Sequence, residues 1–227
     1  MKAIVLTFDR NAHFAELTYK MYMHLWPDCP FTFHIPWNKQ KHPYLIDKPN
    51  IELIQSQKSI GSTVQALIED CDDSEWVYWC IDDRFPVKLD TLRMEGLYNN
   101  LHLCSNYDFV KPFWVDENKV YKHPKPLKKV NIFPKESPFV VQNSIYHIAF
   151  WHHHFVRAKV LKLLFREDSY DIDFYQDLIK YDNILQPFKG LFTQYGHRAI
   201  DFLEPIIDGK TTNSGFKYIS EMNLTIL

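Results

Sequence analysis

The chain has 227 residues, 46% of them hydrophobic and 16% aromatic, which is enough apolar side chain for one sizeable core, and it reads as a single domain. Its 26 basic against 28 acidic residues leave no general attraction for nucleic acid or an anionic membrane, so any polyanion site has to be local. Met1 to Phe8 is too short for a secretion-signal core, no stretch approaches the ~20 apolar residues of a membrane span, and Cys29, Cys71, Cys80 and Cys104 contain no C-x-x-C pair. The expectation is a protein of the reducing cytoplasm, without zinc or disulfides, associated at most peripherally with the inner face of a membrane.

Ala3 to Phe8 is a continuous β-branched and apolar run of the kind buried in a parallel sheet, and it ends at the polar Asp9-Arg10-Asn11. A helix follows, with Asn11 placed to cap it, Phe14, Leu17, Met21 and Leu25 on one face, and Pro27 as its stop. Phe31 to Ile35 and Ile51 to Ile54 read as two short strands separated by a Pro-containing polar loop. Ser62 and Gln65 form a capping-box pattern for a second helix carrying Val64, Leu67, Ile68 and Cys71. Trp76 to Ile81 is then a six-residue apolar run typical of a central strand, and it stops at Asp82-Asp83.

The order strand, helix, strand, strand, helix, strand predicts a doubly wound, mostly parallel α/β sheet with helices on both faces and ligands at the carboxyl ends of its strands. Further on, a helix is expected from Asp90 to about Leu103, a strand within Tyr107 to Trp114, and an exposed loop over the Lys- and Pro-rich stretch Lys119 to Lys135. Val140 to Phe150 reads as one or two strands, and Trp151-His152-His153 as the opening of a helix carrying Val156, Val160, Leu163 and Leu164. Another helix is expected to begin near Asp171, and the tail beyond Leu203 mixes short apolar runs with Gly209 and Gly215.

Two adjacent carboxylates at the end of a buried strand are tolerated best with a cation or a ligand donor between them, and Mg²⁺ or Mn²⁺ takes such oxygens together with phosphate. The alternative is that Asp82 and Asp83 begin a turn or cap a helix. Thr7 and Arg10, at the end of the first strand, are placed to hold a nucleotide and its phosphates, although a surface Arg in a polar turn is the plainer reading. Ser62 is a cap or a ligand contact, and the two roles are compatible because a capped helix N-terminus favours anions.

The segment Ser59-Ile60-Gly61-Ser62 through Trp76-Val77-Tyr78-Trp79-Cys80-Ile81-Asp82-Asp83-Arg84-Phe85 resembles the helix, strand and acidic motif of GT-A-type bacterial glycosyltransferases. Ala3 to Arg10 is similar to their first nucleotide-binding strand and loop, with Thr7, Phe8, Arg10, Ser62 and Asp82 as the implied nucleotide contacts. The resemblance implies a nucleotide-sugar donor, UDP-linked by preference, a saccharide or glycolipid acceptor, and Mn²⁺ or Mg²⁺ bound by Asp83 with Asp82 supporting. Ser169 to Phe174 resembles the acceptor-side segment, and Pro205 to Lys210 a late strand and glycine turn. On this resemblance residues 1–104 form the nucleotide-binding half and 105–227 the acceptor half.

The motif here is Asp-Asp-Arg rather than Asp-x-Asp, and the second strand ends without the carboxylate that often recognises the base. An inverting transfer needs a carboxylate to take the acceptor proton, for which Asp173, with Asp171 beside it, is the candidate; acidic residues in a first helical turn also answer simply to the helix dipole. His197 is a candidate for a further metal or diphosphate contact. His152, His153 and His154 cannot converge on one ion from a helix, where successive residues point about 100° apart. Two other readings remain open: a nucleotidyltransferase, weakened because no Gly occurs before Gly61, and a nucleotide-binding protein without turnover.

Overall fold

The computed structural model describes residues 1–57, 59–112, 128–130, 139–142, 152–166, 188–193, 198–203, 206–207, 210–213, 217 and 220 of the chain. Among these, four strands, β1 (Lys2–Leu6), β2 (Thr32–Trp37), β3 (Ile51–Gln55) and β4 (Trp76–Ile81), pair in parallel in the order β3-β2-β1-β4. Helix α1 (Ala12–Leu25) connects β1 to β2, and α2 (Ile60–Leu67) connects β3 to β4. Because the chain reaches the edge at β3 and then crosses back beyond β1, the strand order reverses between β1 and β4.

β5 (Phe85–Leu89) and α3 (Thr91–Asn99, capped by Asp90, which accepts from the Arg93 amide) follow β4, and a 3₁₀ turn over Leu101–Cys104 ends that segment. β6 (Phe109–Lys111), β7 (Lys128–Val130), β8 (Phe139–Gln142), β9 (His154–Arg157) and β10 (Gly190–Thr193) extend the main sheet to nine described strands, in the order β3-β2-β1-β4-β9-β6-β10-β8-β7. β9 is antiparallel to both β4 and β6, so β6 runs with β4 and ends on the same edge. The sheet is mixed but mostly parallel, with β8 and β9 running against the rest. α4 (Ala158–Leu164) follows β9 directly; β11 (Ile200–Leu203) pairs with β5, and β12 (Ile206–Ile207) forms a hairpin with β13 (Lys210–Thr211).

The two faces of the sheet are separated by the alternation of its side chains. Ala3, Val5, Tyr78, Cys80, Val110 and Phe155 pack with Ala15 and Tyr22 of α1, with Trp26 at its C-cap, and with Met94 and Leu97 of α3. Ile4, Leu6, Val77, Trp79, Ile81, Phe109 and Val156 pack with Val64 and Leu67 of α2 and with Val160, Leu161 and Leu164 of α4. Helices therefore cover both faces, and every residue of β4 is buried, as its unbroken apolar run requires.

Three local expectations are corrected. Ser62 does not cap α2: Ser59 does, accepting from the Ser62 amide at 3.1 Å, while Gln65 reaches across to the carbonyls of Lys162 and Phe165 at 3.2 and 3.1 Å. The histidine run does not open a helix, because residues 154–157 are drawn into the sheet between β4 and β6 and the helix starts only at Ala158. The Lys- and Pro-rich stretch expected as a loop contains β7, which β8 recruits by main-chain pairing. The helix expected near Asp171 lies outside the described residues.

Gly190 shows how tightly the added strands pack, since a Cβ there would overlap the ring of the fully buried Phe109 opposite it. Gly190→Ala is expected to lower unfolding stability by about 1–3 kcal/mol through overpacking. Urea denaturation would register this as a lower midpoint at unchanged slope, and an unchanged midpoint would show that the ring can step aside.

Candidate active site at the strand-order reversal

The edge formed by the carboxyl ends of β1, β2, β3, β4 and β6 collects the polar loops of the chain. At the reversal between β1 and β4, α1 packs on one face and α2 on the other, the topological switch point at which open α/β sheets place their ligands. β1 and β4 are in register up to Leu6 and Ile81, which puts Thr7 beside Asp82 in the turn after β4.

Thr7 Oγ1 donates to Asp82 Oδ2 at 2.5 Å, and both residues are buried. Burial is the main influence on this carboxyl; the bond from Thr7 opposes it, the neighbouring Asp83 charge adds to it, and a bond from the Asn11 side chain opposes it again, leaving Asp82 pushed up to about 7. Asn11 stands at the N-cap position of α1 as expected, but its side chain makes no cap hydrogen bond and serves Asp82 instead. Asp82 thus ties the start of α1 and the end of β1 to the end of β4. Asp83, next in the same turn, is half-buried, and so is Arg84, whose guanidinium donates to His152 Nε2 at 3.4 Å.

The neighbouring loops are bound to one another by side chains. Asp9 accepts from the amides of Asn38, Lys39 and Gln40 at 2.7, 2.7 and 3.2 Å, which joins the loop after β1 to the loop after β2. Burial pushes the Asp9 carboxyl up, but these amides together outweigh it and hold the group below its usual value. Asn38 in turn donates to the carbonyls of Ser56 and Gln57 at 3.2 and 2.9 Å, and Thr63 of α2 donates to the Gln57 carbonyl at 2.9 Å. A polar belt therefore runs across the ends of β1, β2 and β3 to the first turn of α2.

Behind the acidic turn sits a buried basic and aromatic layer. Lys111, the last residue of β6, is fully buried, and burial drives its ammonium well below its usual range. His152 is lowered to about 3 by burial, with the charges of Arg84 and Lys111 adding to the effect. His153 is fully buried between Tyr22, whose hydroxyl lies 2.7 Å from Nδ1, and the Ile81 carbonyl, 3.0 Å from Nε2. His154 lies on β9 with its Nδ1 2.7 Å from the His152 carbonyl, so the three imidazoles have separate surroundings.

Of the candidates read from sequence, Thr7 and Asp82 are brought into contact, with Asp83 in the same turn. Phe8 is half-buried and its carbonyl closes the 3₁₀ turn after β1, in which Arg10 is exposed to solvent. Ser62 lies in the first turn of α2, 2.5 Å from the Ser59 hydroxyl. Asp171, Asp173 and His197 lie outside the described residues. Sequence reasoning passed over Asn38, Tyr22 and Lys111, took Asp9 only as the polar end of the first strand, and read the histidine run as a helix start whose imidazoles could not share one ion, without marking the buried role of His153. The signal for the last was the strand propensity of His154-Phe155-Val156, which argues against a helix through the histidines.

Solved structures similar to this chain include two of one glycosyltransferase. An active-site mutant of LgtC overlaps it with a TM-score of 0.45 at 12% identity, covering 85% of this chain and 72% of that one. The galactosyltransferase LgtC in complex with donor and acceptor sugar analogs overlaps with a TM-score of 0.44 at 12% identity, covering 80% and 70%. No protein-family model matches the chain, and no curated protein does.

The Asp82 carboxyl has a measurable signature. Its value of about 7 lies above the 3.8 of an ordinary aspartate, so between those limits the folded state binds the proton more tightly than the unfolded state, and stability falls as pH rises through that window. Relative to Asp82→Asn, the wild-type protein is expected to lose stability steadily from pH ~4 to pH ~7 and then level off. Parallel pH profiles of unfolding free energy for the two proteins would rule this out.

Proposed function

We propose that this protein is a glycosyltransferase that moves a sugar from a nucleoside diphosphate donor, UDP-linked by preference, to an acceptor hydroxyl with the help of a divalent cation. One observation carries the reading: the acidic turn Asp82-Asp83 stands at the carboxyl end of a fully buried central strand, beside the point where the strand order reverses. In open α/β sheets that point is where nucleotides lie. The likeness of Ala3 to Arg10 and of Ser59 to Phe85 to GT-A-type glycosyltransferases supports the same reading.

The donor set suits Mg²⁺ or Mn²⁺, which takes one or two carboxylates and completes its shell with water and phosphate oxygens. Burial and the neighbouring Asp83 charge both disfavour the ionised form of Asp82, and a cation held between the two carboxyls would offset both effects. Asp83 would hold it and Asp82 would support it. When bound, the cation supplies positive charge that stabilises a departing diphosphate.

The remaining roles fall to the chain's own groups. Thr7 and Asn11 orient Asp82, and the Asp9 belt holds the loops that would face the nucleotide. Arg10 and Arg84 supply guanidinium donors for phosphate oxygens, charge that helps more as the leaving group develops than in the ground state. Phe8 and Ser62 are proposed as nucleotide contacts, and His197 as a further contact to the metal or diphosphate. Asp173, with Asp171 beside it, is proposed as the base that takes the acceptor proton.

The test is thermal stabilisation by a panel of nucleoside diphosphates with and without Mn²⁺. A ligand at ~100 times its Kd raises unfolding free energy by about 2.7 kcal/mol. A Mn²⁺-dependent rise in Tm is expected for at least one nucleotide and should vanish in Asp83→Asn, whose unliganded Tm stays close to wild type. Absence of any nucleotide effect would defeat the transferase reading. A nucleotide effect without transfer or hydrolysis of the matching sugar donor would leave a binding protein in its place.

A further inference from the structure

We infer that His153 is a positioning residue for the acidic turn, acting through the Ile81 carbonyl as a fixed, uncharged link between α1, β4 and β11. This rests on the reading of Asp82-Asp83 as the cation and nucleotide site. The β4–β9 ladder stops at Trp79 opposite His154, so beyond that point β4 has no β9 residue paired with it. Two residues further along, the Ile81 carbonyl lies 3.0 Å from His153 Nε2, while on the other side Ile81 is paired with Leu6 of β1. The peptide leading into Asp82 is therefore held from both sides, by a strand and by an imidazole.

The hydrogen-bond chemistry assigns the proton. A carbonyl can only accept, so Nε2 carries the hydrogen, and the buried ring, held neutral, keeps its lone pair on Nδ1. Nδ1 then accepts from the Tyr22 hydroxyl at 2.7 Å, and the Tyr22 oxygen accepts from the Tyr78 hydroxyl at 3.0 Å. Each donor is used once along the line Tyr78, Tyr22, His153, Ile81, and all three side chains are fully buried. The ring is stacked on Tyr22 with centroids 5.8 Å apart and meets Phe202 of β11 edge-on at 4.8 Å. It can neither turn over nor exchange its tautomer without breaking a buried bond.

The consequence is a rigid backstop one residue before the carboxylates. Groups that orient a metal ligand typically alter metal affinity by about 10- to 100-fold when removed. His153→Leu deletes the donor to Ile81, whereas His153→Gln retains an N–H donor on a side chain of comparable reach. Tyr22→Phe removes the bond that selects the tautomer. Leu97→Ala serves as a control that damages the same core from α3.

The experiment is titration calorimetry of Mn²⁺ with UDP on the wild type and these variants, together with ¹⁵N spectra of the histidine rings. We expect the wild type to bind, His153→Leu to weaken Mn²⁺-dependent UDP affinity about tenfold or more, His153→Gln to recover most of that loss, and Leu97→Ala to lose Tm while keeping its affinity. If His153→Leu does not fold, Tyr22→Phe is read in its place, with a smaller loss in the same direction. Undiminished affinity in the variant that is read, an equal loss in Leu97→Ala, or a His153 ring protonated at Nδ1 would each overturn the role of His153 alone. A wild type that binds no nucleoside diphosphate of the panel with Mn²⁺ would overturn the functional reading and this inference with it.

Discussion

The hydrogen bond from Thr7 to Asp82 joins the two strands between which the sheet changes direction. It is made in a dry setting, where a carboxyl is held only if its partners are already in place. Those partners come from the end of β1 and the beginning of α1, so the geometry of the acidic turn depends on the packing of the first βα unit. The apolar alternation of β1 and β4 serves this arrangement. One face seats α1 and α3, the other seats α2 and α4, and the strand ends are left as the place where polar groups converge.

At that edge, main-chain ladders give way to side-chain ties. Asp9 gathers three amides of the loop after β2, Asn38 reaches the loop after β3, and Thr63 closes the line at α2. Ties of this kind fix loops without burying apolar surface, so the strand ends keep their geometry while their polar groups remain at the edge of the sheet. Behind them, Lys111 and the histidines of β9 and its approach place basic side chains within the sheet itself. Burial keeps His152 and His153 neutral at physiological pH. The edge therefore sets acidic groups in front and, behind them, neutral imidazoles and a buried Lys111 whose ammonium burial disfavours.

Much of the first half was legible because its signals are local. β1 to β4, α1 and α2 announced themselves as apolar runs and helical periodicities, and the stop of the Trp76 to Ile81 run at Asp82 was visible as composition alone. The errors lie where a local signal competed with a tertiary one. Ser62 and Gln65 match a capping box, yet Gln65 is taken up by the carbonyls of Lys162 and Phe165 at the end of α4, and the cap passes to Ser59. Trp151 to His154 suits a helix start by its position before Val160 and Leu164, yet the gap between β4 and β6 can be closed only by a strand, and His154 to Arg157 fill it.

The sequence was sufficient for the alternation of strands and helices, the burial of β4 and the placing of a carboxylate pair at its end, since each depends on neighbours a few residues apart. It was not sufficient for the partners of that pair. Thr7 and Asp82 are 75 positions apart, Tyr22 and His153 are 131, and nothing in their local patterns marks them as neighbours. Only strand order decides such contacts. That order follows from which faces can be covered and which edges paired once the whole chain packs, an energy shared among many side chains and carried by no single segment.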